Sequence, residues 1–166
     1  MINRKMNVKK RIAFAPGGSN RKSLIEWSYY NQSALRSHEL IAPSAVASVL
    51  EGTIGSHVER LHDGTAAASQ QLAHLITSQK IDVLIIFWDR DAQADPGIAY
   101  LQELAVANNI IIAANLATAD FVLASRLMDK AHTVPVSLVH EPRLLNGVAP
   151  AQFAPRKAFL KVNGIN

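Results

Sequence analysis

A chain of 166 residues, 49% of them hydrophobic, suits one soluble domain with a full core. It has no cysteine, which excludes disulfides, thiolate metal sites and cysteine nucleophiles, and no apolar run near the ~20 residues that cross a bilayer. The net charge of +4 is uneven: residues 1–11 hold five bases and no acid, and residues 150–166 hold three more bases and no acid, so the body between them is net negative.

That distribution predicts a basic N-terminal tail over 1–10, a folded domain over 11–145, and a Pro/Ala linker with a basic C-terminal tail over 146–166. Solvated ends that aid solubility are the expectation, with no nucleic-acid partner and no membrane partner. The basic start leads into a strand-like run, not into a secretory apolar segment with a cleavage site, so the cytoplasm is the expected location.

In chain order, Arg11–Ala15 reads as a buried strand stopped by Pro16, Gly17 and Gly18. Ser19 or Asn20 caps a helix whose apolar face holds Leu24, Ile25 and Trp27. Glu39–Ala42 is a second strand closed by Pro43, and residues 45–50 are helical up to Gly52 and Gly55. Residues 57–62 form a weak strand, and Gly64 turns the chain into an alanine-rich helix over 66–78. Ile81–Trp88 is the strongest strand, β-branched and aromatic as a strand buried on both faces should be. Pro96 opens a helix to about Asn108, Ile110–Ala113 is the next strand, Thr118 caps a helix over 119–127, and Val134–Val139 is the last strand. Strands alternating with helices predict a parallel α/β sheet with helices on both faces.

Ligands in such sheets sit at the carboxyl ends of the strands. Asp89 ends an otherwise apolar strand, which makes it the candidate catalytic carboxylate, with Asn115, Thr118 and Asp120 expected around the same pocket. His62 and Asp63, also at a strand end, form a candidate acid/base pair. The turn Gly17, Gly18, Ser19 with Arg21 and Lys22 enters a helix and suits an anion, but it matches no dinucleotide or P-loop pattern. The six histidines show no HxxxH or HExxH spacing, and Asp89, Asp91 and Asp95 are loop acids, so neither a metal nor a cofactor is expected.

The run KIDVLIIFWD over 80–89, followed by ANLATADF over 114–121 and joined by Gln70 and Gln71, resembles the methylglyoxal synthase family over about residues 11–145. The resemblance implies a three-layer sandwich around a five-stranded, mostly parallel sheet, assembled as a homohexamer. It implies conversion of dihydroxyacetone phosphate to methylglyoxal and inorganic phosphate: an aspartate abstracts a proton beside the carbonyl, and phosphate leaves from the enediolate. Aligned on the family's GPxGGDQQ segment, that aspartate falls on Ser69, which has no useful basicity near neutral pH. The family's histidine after the first strand falls on Gly17, and its second histidine and aspartate fall on Ala94 and Gly97. Its TGTTG phosphate turn is replaced over residues 43–47 by PSAVA, and the serine before the first GPxGG glycine becomes Asp63. Ser44, Gly64, Ser69 and Arg21 or Lys22 remain as anion contacts. The expectation is a small-anion binding or regulatory module for a phosphorylated or carboxylated metabolite, without the usual synthase activity. The alternative is an active synthase with relocated catalytic residues.

Overall fold

The computed structural model describes residues 2–16, 20–87 and 96–136. The main sheet has five strands, β2 (Arg11–Phe14), β3 (Glu39–Ala42), β4 (Glu59–Arg60), β5 (Val83–Ile85) and β6 (Ile111–Ala113), in the order β4-β3-β2-β5-β6. Every neighbouring pair is parallel, with Ile12 opposite both Leu40 and Val83. Between the strands run α1 (Arg21–Tyr30), α2 (Gln32–Arg36), α3 (Ser44–Ile54), α4 (Thr65–Thr77) and α5 (Pro96–Ala107); α6 (Leu116–Ala124) follows β6.

The period-two side-chain alternation of a strand divides the core into two layers. Ile12, Phe14, Leu40, Val83 and Ile85 pack on one face with Leu24 and Trp27 of α1 and Val46, Leu50 and Ile54 of α3. Ala13, Ile41, Leu84 and Ile86 pack on the other with Leu72 and Ile76 of α4 and Leu101 and Leu104 of α5. This is the expected three-layer α/β sandwich. The chain starts at the centre of the sheet, steps to one edge through β3 and β4, then returns past the centre to β5 and β6. The step from β2 through β3 to β4, all parallel, places the loops after these three strands side by side at their carboxyl ends.

The N-terminal residues differ from the expected tail. β1 (Ile2–Met6) pairs antiparallel with β7 (His132–Val136) in a separate two-stranded ribbon, Arg4 opposite Val134 and Met6 opposite His132. The last strand is therefore two residues earlier in its start than expected and lies outside the main sheet. Of the five bases, Lys9 makes an exposed ion pair with Glu39 at 3.9 Å, and three are tied into the fold by hydrogen bonds. Arg4, 7% exposed, donates Nη1 to Asp82 Oδ1 at 2.6 Å and Nη2 to the Asn109 carbonyl. Arg11 meets the same carboxylate through its backbone N–H at 2.9 Å and through Nε and Nη2. Lys10, 1% exposed, spends its ammonium on the carbonyls of Asn7, Val8 and Lys130. Burial pulls the Arg4 and Lys10 pKa values down, with Asp82 opposing the shift in both.

Two further differences are local. The strand expected over 57–62 shortens to Glu59–Arg60, because Val58 N–H donates to Glu51 Oε1 and so leaves the ladder. The cap of α6 is Asn115, not Thr118: Asn115 Oδ1 accepts from both the N–H and the hydroxyl of Thr118 at 2.8 Å, starting the helix three residues early.

Candidate functional site

A cavity of about 450 Å³ opens at the carboxyl ends of β2, β3 and β4. Its wall is Pro16 beyond β2, residues 43–46 at the start of α3, and His62, Asp63, Gly64, Thr65 and Ala68 at the entry to α4. Both helices begin at this cavity without a side-chain cap. α3 follows Pro43, which has no capping group, and its ladder opens with Ala47 N–H on the Pro43 carbonyl. α4 follows Gly64, whose φ of +90° suits glycine, and its ladder opens with Ala68 N–H on the Gly64 carbonyl. The N–H groups of residues 44–46 and 65–67 thus precede the first ladder bond of each helix, and neither first turn contains an acid. Two uncapped helix starts at one cavity place partial positive charge on the same space, the arrangement that receives phosphate or carboxylate.

Two side chains bridge the rim. Ser44 Oγ donates to Asp63 Oδ1 at 3.1 Å, tying the start of α3 to the loop before α4. Gln71, one turn inside α4, accepts the His62 backbone N–H at 2.7 Å and so holds the His62–Asp63 loop against the helix. Further back, Glu51 takes both terminal nitrogens of Arg60 at 2.9 Å. Those bonds, with the Val58 N–H, hold the Glu51 carboxyl at about 2.

Ser44, His62, Asp63 and Gly64 therefore meet at one cavity. Ser69 is 3% exposed on α4, one position beyond the wall residue Ala68. Arg21 and Lys22 are exposed in the first turn of α1, which Asn20 caps through the N–H groups of Lys22 and Ser23. Asn115 and Thr118 are joined in the α6 cap. Asp120 accepts from Trp27 Nε1 at 2.9 Å and Asn31 Nδ2 at 3.1 Å, locking α6 to α1 over the stacked rings of Phe14 and Phe87. Gly17, Gly18, Ser19 and Asp89 lie outside the described residues. Among the described residues no group of three or more His, Asp or Glu is arranged to hold a metal ion.

Two residues with structural weight escape a sequence reading. Asp82 is 1% exposed and collects both arginines, though in sequence it only interrupts the entry to an apolar run. Its signal is the unexplained acid itself, since a carboxylate is not fully buried without partners. Gln71 is visible only as half of the Gln70–Gln71 pair, and its bond to the His62 backbone depends on where the loop closes.

No family model matches the chain. Whole-protein comparison does find relatives. The methylglyoxal synthase of Photorhabdus laumondii is 34% identical over 149 residues, covering 89% of this chain and 97% of the relative. That of Coxiella burnetii is 38% identical over 122 residues, covering 72% and 85%. The crystal structure of methylglyoxal synthase from Elizabethkingia anophelis superposes with a TM-score of 0.73 at 28% identity, over 82% of this chain and 91% of that one. With that structural match and relatives above 30% identity over most of their length, the chain belongs to the methylglyoxal synthase family.

Proposed function

We propose that this protein is a lyase of the synthase type, eliminating phosphate from dihydroxyacetone phosphate with proton-transfer groups relocated to His62 and Asp63. The observation that carries the proposal is the convergence of two uncapped helix starts with Ser44, His62 and Asp63 on one cavity. The helix starts supply backbone donors for the phosphate, which offsets the lost hydroxyls of the family's TGTTG turn. An imidazole and a carboxylate beside them are groups able to take the proton next to the carbonyl. As the C–H bond breaks, its electron pair forms the enediolate. The enediolate electrons then form a new C=C bond as the C–O bond to phosphate breaks; phosphate leaves with the C–O pair, and the enol left behind tautomerises to methylglyoxal.

The proposal includes a small phosphorylated ligand, a homo-oligomer of the hexameric kind that the resemblance implies, and a cytoplasmic location. Among the described residues no helix is long and apolar enough to cross a membrane. Purified protein is expected to convert dihydroxyacetone phosphate to methylglyoxal. His62→Asn and Asp63→Asn are each expected to lower kcat by about a hundredfold or more, the scale of one positioned proton-transfer group. Asp89→Asn, assayed alongside, measures what the carboxylate after β5 contributes.

A second reading, anion binding without turnover, is favoured by one observation: Ser69 stands where the family's base is expected and is 3% exposed. Under that reading phosphate binds, no methylglyoxal forms, and the three variants are indistinguishable from the parent in the assay.

A further inference from the structure

We infer that His38 is an acid-released latch on the N-terminal ribbon: its neutral imidazole fixes Lys10, Lys10 holds one end of the ribbon shut, and a proton on the imidazole lets that end open. His38 lies in the turn between α2 and β3, 8% exposed, with its backbone N–H on the Leu35 carbonyl. Its Nδ1 accepts the Lys10 backbone N–H at 3.0 Å, and the Lys10 carbonyl accepts the Glu39 N–H at 2.9 Å. A ring nitrogen that accepts carries no proton, so the imidazole is the neutral Nε2–H form. From that anchored backbone the Lys10 side chain, 1% exposed, reaches the carbonyls of Asn7 and Val8, just after β1, and of Lys130, two residues before β7. One ammonium thus ties together both chain segments that leave the ribbon at its Met6–His132 end.

A proton on Nδ1 turns the acceptor into a donor that faces the Lys10 N–H, so the bond is lost and a buried N–H is left without a partner. It also sets a second cation beside the buried ammonium. Among the described residues the charged groups that face His38 are Lys10 and Lys9 from the segment between β1 and β2, Asp82 from the entry to β5, and Asp129 from the turn before β7. Burial first, and Lys10 second, hold the imidazole below its ordinary 6.5, against the pull of the two carboxylates. Once the end opens, the ring meets water and recovers its ordinary value, so the open form takes up a proton that the closed form refuses. The closed form is therefore fully favoured above about pH 6.5 and loses ground as pH falls through that value. Arg4 still holds the middle of β1 to Asp82, so opening starts at the Met6–His132 end. Met6, Lys10, His132 and Val134 at that end line an apolar cavity of about 250 Å³, with Ile111 and Met128 opposite, and opening exposes it to water.

Hydrogen–deuterium exchange of the full chain at about pH 7.5 and about pH 5, corrected for the intrinsic pH dependence of exchange, tests the latch. Protection of the amides of residues 4–10 and 132–134, relative to those of β2 and β5, is expected to fall about tenfold or more at the lower pH, a factor of ten for each pH unit over which only the open form is protonated. His38→Gln, whose side-chain oxygen can accept the Lys10 N–H but takes up no proton, is expected to show the same protection at both pH values. His132→Gln removes the other imidazole at this end and is expected to keep the fall. Protection that ignores pH in the parent, a fall of equal size in His38→Gln, or its loss in His132→Gln overturns the latch. The ring nitrogen shifts of His38 in the parent give a check that needs no variant. They are expected to show Nε2–H with a bare Nδ1 at about pH 7.5 and titration below about 6.5; a ring protonated on Nδ1 at the higher pH overturns the inference.

Discussion

A single carboxylate, Asp82, does the most to hold the N-terminal ribbon to the sheet. It receives the buried Arg4 at 2.6 Å and the part-exposed Arg11 at 3.0 Å. Removing Asp82 leaves the Arg4 guanidinium buried without its counter-charge, which costs about 3–5 kcal/mol. Asp82→Ala is therefore expected to lower the unfolding free energy by about that amount in a denaturant titration, with the fold retained. Glu51 gives a pH-dependent counterpart at the surface. Its carboxyl sits at about 2 instead of 4.5, chiefly through the Arg60 hydrogen bonds. A depressed acid contributes stability above its unfolded value, and the contribution is lost as pH falls. The stability difference between the parent and Glu51→Gln is thus expected to be constant above about pH 4.5 and to close as pH falls toward about 2, measured by acid unfolding monitored with circular dichroism. Buried acids like Asp82 are hard to read in sequence because the partners that justify them come from distant segments.

At the level of elements, what was legible follows the strength of the local signal. Glu39–Ala42 stands in the structure with the same bounds that its apolar run and Pro43 suggest. The helix after Gly64 and the helix opened by Pro96 also stand within a residue or two of expectation. β1 escaped because INRKM has only two inward residues, Arg4 and Met6, and one of them is charged. Its strand character comes from pairing with β7, more than a hundred residues away, and no local pattern encodes that. Deleting residues 1–6 is expected to leave the α/β sheet intact but strip the partner of β7 and the buried Met6. Burial of a methionine alone contributes about 1.5–3 kcal/mol, so the truncated chain should unfold at distinctly lower denaturant with native-like far-ultraviolet circular dichroism. Loss of all helical signal would instead make β1 an essential part of the core.

At the scale of the whole molecule, strand order decides what the candidate site can be. Stepping from β2 through β3 to β4 brings Pro16, Ser44, His62 and Gly64 together although they span nearly fifty residues of chain. The strand ends were legible, so the cavity's members Ser44, His62, Asp63 and Gly64 could be named in advance. Their grouping was not, because the segments that carry Asn115 and Thr118 end just as clearly in polar residues, and only the α6 cap reveals where those side chains are engaged. The family's base position at Ser69 and the cavity's own imidazole and carboxylate point to opposite outcomes for turnover. The direct measurement is the reaction of the unmodified protein with dihydroxyacetone phosphate, following methylglyoxal and inorganic phosphate together. The account predicts equal amounts of both at a rate proportional to protein concentration, falling sharply in His62→Asn. Formation of methylglyoxal no faster than in buffer, with phosphate still bound by the protein, would contradict it.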